Sequence, residues 1–119
     1  MKGRPFRQRL GFALAGLADA WRAEASFRRQ TGIAGCAVVV CALLRPGLMW
    51  VAVVALAIAL VLALEMINSA LEAILDHLHP GEATAVRRAK DMAAGAVLVA
   101  SAGAAVIGML MLAAVVLGW

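Results

Sequence analysis

Three runs of the chain are almost free of polar residues, and they set its architecture. None of the 28 positions from Met92 to Trp119 is charged, and none of the 19 from Pro46 to Leu64. A helix of about 20 apolar residues crosses the hydrocarbon of a bilayer, so both runs predict membrane spans. A third uncharged stretch, Gln30 to Leu44, holds 15 residues and spans only if its helix borrows from the Phe27 side. Ahead of it, Phe6, Leu10, Leu14, Leu17 and Trp21 recur at helical spacing and fall within roughly an 80° arc, with Arg4, Arg9, Asp19 and Arg22 off it. That pattern predicts a helix lying in the membrane surface, apolar side down.

Turn chemistry separates these elements. Arg45-Pro46-Gly47 makes a tight turn between the first two spans, and His79-Pro80-Gly81-Glu82 ends the second. The expected fold is an all-α membrane protein of one domain over residues 1–119. It has an interfacial amphipathic helix over 1–29 and transmembrane helices over about 30–45, 47–78 and 87–119.

Composition agrees, at 65% hydrophobic against the roughly half-apolar average of soluble domains. The eleven basic residues then set orientation. Seven lie within residues 1–30 (Lys2, Arg4, Arg7, Arg9, Arg22, Arg28, Arg29), three precede the last span (Arg87, Arg88, Lys90), and Arg45 stands alone on the other side. Basic residues at span ends stay in the cytoplasm, so the N-terminus is expected inside and Trp119 outside. The net charge of +4 does not imply nucleic acid, because the basic residues flank apolar spans with no interleaved aromatics for base stacking. Anionic headgroups and nucleotide phosphates fit better. No small-residue cleavage site follows a compact apolar core near the N-terminus, so no leader is expected. Cys36 and Cys41 fall roughly 140° apart around one helix and cannot pair with each other.

The chemistry sits on the second span. Glu65, Asn68, Ser69, Glu72 and Asp76 share one helical face. Glu65 lies about 27 Å along the helix from Gly47, near the cytoplasmic edge of the hydrocarbon, where an unpaired carboxylate costs a few kcal/mol. Three stacked acids call for cations, and Mg2+ takes carboxylate oxygens while keeping positions for water and phosphate. Glu24 and the Lys90–Asp91 pair are further polar groups able to converge there, and a lysine beside a metal-bridged phosphate is minimum equipment for phosphoryl transfer. No Gly-rich phosphate loop is present. The same residues could instead be inter-helix glue or a proton relay, and a small proton-coupled exporter is the competing class.

Ala63-Leu64-Glu65-Met66-Ile67-Asn68-Ser69-Ala70-Leu71-Glu72-Ala73-Ile74-Leu75-Asp76 resembles the Glu-x-x-Asn-Ser/Thr-Ala-Ile/Leu-Glu-x-x-x-Asp signature of the prokaryotic diacylglycerol kinase family, which includes the undecaprenol kinases. The block from Arg88-Ala89-Lys90-Asp91 through Leu98, and the stretch from Gly16 to Phe27-Arg28 with Glu24, are similar to two further family elements. The resemblance implies a homotrimer with composite sites in the inner membrane, transferring the ATP γ-phosphoryl to diacylglycerol, or alternatively to undecaprenol. It implies Glu65 as general base, Glu24 and Glu72 as Mg2+ ligands, and Asn68, Asp76, Lys90, Asp91 and Glu24 around ATP. Phe12 stands where some members place a Tyr. In the loop from His79 to Val86, Ala83 falls where members carry a His, which leaves adenosine contacts from that loop open.

Overall fold

The computed structural model of the chain describes residues 2–81 and 83–119. These form four helices: α1 (Phe6–Ala23), α2 (Ala25–Leu44), α3 (Leu48–Leu78) and α4 (Thr84–Leu117). The last three are each long and apolar enough to cross a membrane. At 1.5 Å per residue α3 and α4 run roughly 46 and 51 Å, longer than the hydrocarbon is thick.

The first boundary differs from the expected one. The break falls at Glu24, whose backbone is extended (φ −114°, ψ 106°), so that α2 begins at Ala25 and not near residue 30. The short stretch thereby gains the length that a span requires. No Gly or Pro stands between Gly16 and Gly32 to force this break. Compensation comes from Arg28 in the first turn of α2. Its Nη1 donates to the Trp21 carbonyl at 2.6 Å and the Arg22 carbonyl at 3.1 Å, two acceptors that the end of α1 leaves without helical partners. Ala20 and Phe27, on either side, are buried.

The connection from α2 to α3 takes three residues. Arg45 closes α2 in the left-handed region (φ 49°), its N–H bonded to the Cys41 carbonyl at 3.0 Å. Gly47 then adopts φ 105°, a backbone a side chain would strain. At the opposite end the His79 N–H closes α3 on the Leu75 carbonyl at 2.8 Å, and exposed Ala83 opens α4. α4 therefore starts at Thr84, ahead of the expected 87. Glu82, in the predicted stop, lies outside the described residues.

α3 and α4 make the most extensive helix pair, with α2 packed on α3 more sparingly. Lipid tails are as apolar as leucine, so such helices associate by close packing and not by escape from water. The α4 face turned inward suits this: Ala100, Ala104 and Gly108 are small and spaced by four, and Val97, Ala104 and Met111 recur every seven. Buried Val54 and Val61 follow the same seven-residue step on α3. Cys41, Val54 and Met111 form the core, with the Cys41 Sγ 3.8 Å from the Met111 Sδ. The antiparallel register is pinned at both ends. Val54 clusters with Met111, and Asp76 meets Lys90.

Candidate functional site

The seven-residue step that buries Val54 and Val61 next reaches Asn68, so the packed seam of α3 runs directly into its polar stripe. Exposure rises along that stripe. Glu65 is 6% exposed, Asn68, Ser69 and Glu72 are half-buried, and the Asp76 side chain is 63% exposed. The distance covered is roughly 16 Å of helix. One face thus carries oxygen ligands from the packed interior out to the wet end of α3.

Two of these groups lack the partners their environment calls for. The Asn68 Oδ1 is buried with no hydrogen-bond partner. Buried polar atoms are nearly always paired, and leaving one unpaired costs about 1–3 kcal/mol. Glu65, the one buried charged residue among those described, makes no side-chain hydrogen bond or ion pair with another of them. An unpaired carboxylate and an unpaired amide oxygen one turn apart form a site with unfilled bonding capacity.

The cation expected there comes from α4. Lys90 Nζ donates to Asp76 Oδ1, which brings the head of α4 to the end of the stripe. Asp91 turns elsewhere: its carboxylate takes Arg87 Nη1 at 3.5 Å, one helical turn away, with both side chains exposed. Such exposed pairs contribute little stability, which leaves Asp91 available to other cations.

Glu24 and Glu72 are half-buried, and neither carboxylate has a hydrogen-bonded or ionic partner among the described residues. No three His, Cys, Asp or Glu side chains among those residues gather around a common point, so the described residues build no all-protein metal cage. That does not disfavour Mg2+, which binds through one or two carboxylates and completes its shell with water and substrate phosphates. Phe12 is 47% exposed on α1, with the Arg4 guanidinium carbon 5.6 Å from its ring centroid. That face of the ring already carries a cation.

A feature absent from the sequence reading lies deeper. Gln30 on α2 donates through Nε2 to the Ser101 Oγ on α4 at 3.4 Å. Both line an apolar cavity of about 430 Å³ between α2, α3 and α4. The signal was present, since Ser101 is the one hydroxyl in the 28 uncharged positions of the last span. The Arg28 bonds across the helix break had no comparable signal, because they depend on the angle between α1 and α2.

Comparison with known proteins agrees with the resemblance drawn from the motifs. The family described as prokaryotic diacylglycerol kinase matches residues 11–112. A protein named diacylglycerol kinase from Synechocystis is 37% identical over 99 residues, covering 82% of this chain and 56% of that protein. One of the same name from Escherichia coli K12 is 34% identical over 90 residues, covering 76% of this chain and 74% of its own length. The chain thus spans little more than half of the Synechocystis relative.

Proposed function

The chain belongs to the prokaryotic diacylglycerol kinase family, and on that premise we propose that it transfers the γ-phosphoryl group of ATP to the free hydroxyl of diacylglycerol at the cytoplasmic face of the inner membrane. The observation that carries this reading is the α3 stripe, graded from a buried Glu65 to an exposed Asp76 that meets Lys90. A lipid hydroxyl lies within the bilayer and a triphosphate lies in water, so their reaction needs one continuous polar face between the two.

The roles follow from position. Glu65 accepts the proton as the hydroxyl oxygen attacks the γ-phosphorus, the bond from that phosphorus to the β,γ-bridging oxygen breaks, and ADP leaves. Asn68, one turn nearer water, orders the phosphates by donating from its amide Nδ2, and Lys90, steadied by Asp76 and flanked by Asp91, meets the polyphosphate end. Glu24 and Glu72 would hold Mg2+, and the ion when bound would offset the charge on the phosphate oxygens. Phe12 contributes an apolar surface near the nucleotide. The Arg28 bonds fix Glu24 in place by holding the bend where it stands.

The apolar arc of α1 supports a membrane-surface position. Its residues run from 44% exposed at Leu17 to 76% at Phe6, so none of them is buried within this chain. Much apolar surface on the spans is likewise uncovered, including Leu56, Leu98 and Val99 at 70% or more, which leaves room for lipid and for two further copies in a homotrimer.

Glu65→Gln tests the base. Transfer of label from radiolabelled ATP into extracted lipid should fall about 10²–10⁴-fold, while thermal stability and oligomeric state hold. Full activity in that variant would remove Glu65 from the role.

A further inference from the structure

The register that joins Asp76 to Lys90 and Val54 to Met111 brings Ser101 level with Glu65 across the α3–α4 pair. The apolar cavity begins there. Val61 and Leu62, one turn deeper than Glu65, line it, and it continues down to Val54 and Met111. At about 430 Å³ it is within the range of small-molecule pockets. Its wall is hydrocarbon apart from Gln30 and Ser101.

That pair keeps bonding capacity to spare. The Ser101 Oγ accepts from Gln30, so its own O–H remains to be donated. Hydroxyls in spanning helices commonly donate back to their own helix, as the Thr31 Oγ1 does to the Phe27 carbonyl at 2.8 Å. Among the described residues Ser101 donates to no such carbonyl. The Gln30 side-chain oxygen is also without a donor among them.

We propose that the Gln30–Ser101 pair positions the acceptor lipid by donating the Ser101 hydroxyl to an ester carbonyl of a glyceride whose tail enters the apolar cavity. This rests on the kinase reading above. In a diacylglycerol the nearer ester sits on the carbon next to the one bearing the reacting hydroxyl. When that hydroxyl reaches Glu65, the ester lies at the level of Ser101. Hydrogen bonding of this kind selects for the ester and against lipids with the same hydroxyl and tails but no carbonyl.

A diacylglycerol and the matching dialkylglycerol, which has ether oxygens in place of esters, test this when assayed side by side with the purified full-length protein in mixed micelles. Ser101→Ala should raise the diacylglycerol KM about three- to ten-fold, the loss of one neutral hydrogen bond, with little change in kcat. The dialkylglycerol KM should stay where it was. Ser101→Thr should restore the ester preference, and Gln30→Leu should weaken it. Equal responses of ester and ether lipids across all three variants would overturn the proposal, making the pair a tie between helices or a seat for a second copy. Wild-type protein that phosphorylates neither lipid would instead overturn the kinase reading itself, with the thermal stability of each variant showing that it had folded.

Discussion

On the proposed reading, Asn68 sets function against stability more directly than any other residue of the stripe. Its position continues the buried seam of Val54 and Val61, where an apolar residue would pack, yet it places an amide oxygen there without a partner. Asn68→Leu keeps nearly the same volume and removes the unpaired acceptor. Thermal unfolding in detergent should therefore show stability unchanged or raised by about 1–3 kcal/mol, while ATP-dependent lipid phosphorylation falls at least about ten-fold, the cost of losing one hydrogen bond donated by the amide Nδ2 to a charged phosphate. A variant that lost stability and activity together would make Asn68 a packing residue. At this scale the sequence was informative where polarity contradicted surroundings. Glu65, Asn68 and Glu72 stood out because acids and amides do not belong on a membrane helix. The partners of Lys90 and Asp91 could not be read, because a helix head offers several acids and bases within reach and geometry alone chooses Asp76 and Arg87.

At the scale of elements, the end of α1 is governed by one side chain. Helices end cheaply at Gly or Pro, and neither is present near Glu24. Arg28 supplies the missing acceptor satisfaction from across the break. Arg28→Ala should destabilise the α1–α2 junction by about 0.5–1.5 kcal/mol, the range for an ordinary hydrogen bond, because the guanidinium is exposed to solvent. Faster proteolysis between Trp21 and Phe27 would report it, with Arg28→Lys intermediate. Unchanged protease resistance would mean that Ala20 and Phe27 hold the bend without it. The other junctions were legible because Pro46, Gly47, Pro80 and Gly81 mark them chemically. The α1–α2 junction was not, since helical propensity runs unbroken through it and a tertiary contact decides where the chain turns.

At the scale of the whole molecule, hydropathy alone gave the two long helices able to span, because uncharged runs of this length have few other solutions, whereas the 15-residue run reached spanning length only through the break at Glu24. The order in which the helices pack was beyond it. An inward face of Ala100, Ala104 and Gly108 shows its use only once α3 lies against it. The gradient of exposure from Glu65 to Asp76 has a consequence for how reaction rates scale. On the proposed function the two reactants occupy different phases, so the protein would work as an interfacial catalyst, with each reactant counted in its own medium. Diluting the bilayer or micelle with inert amphiphile at fixed total diacylglycerol lowers its surface mole fraction, and velocity below saturation should drop in proportion. The same dilution should leave the KM for ATP unmoved, since nucleotide is drawn from bulk solution. Velocity that followed total lipid concentration instead of mole fraction would mean that the acceptor arrives from water.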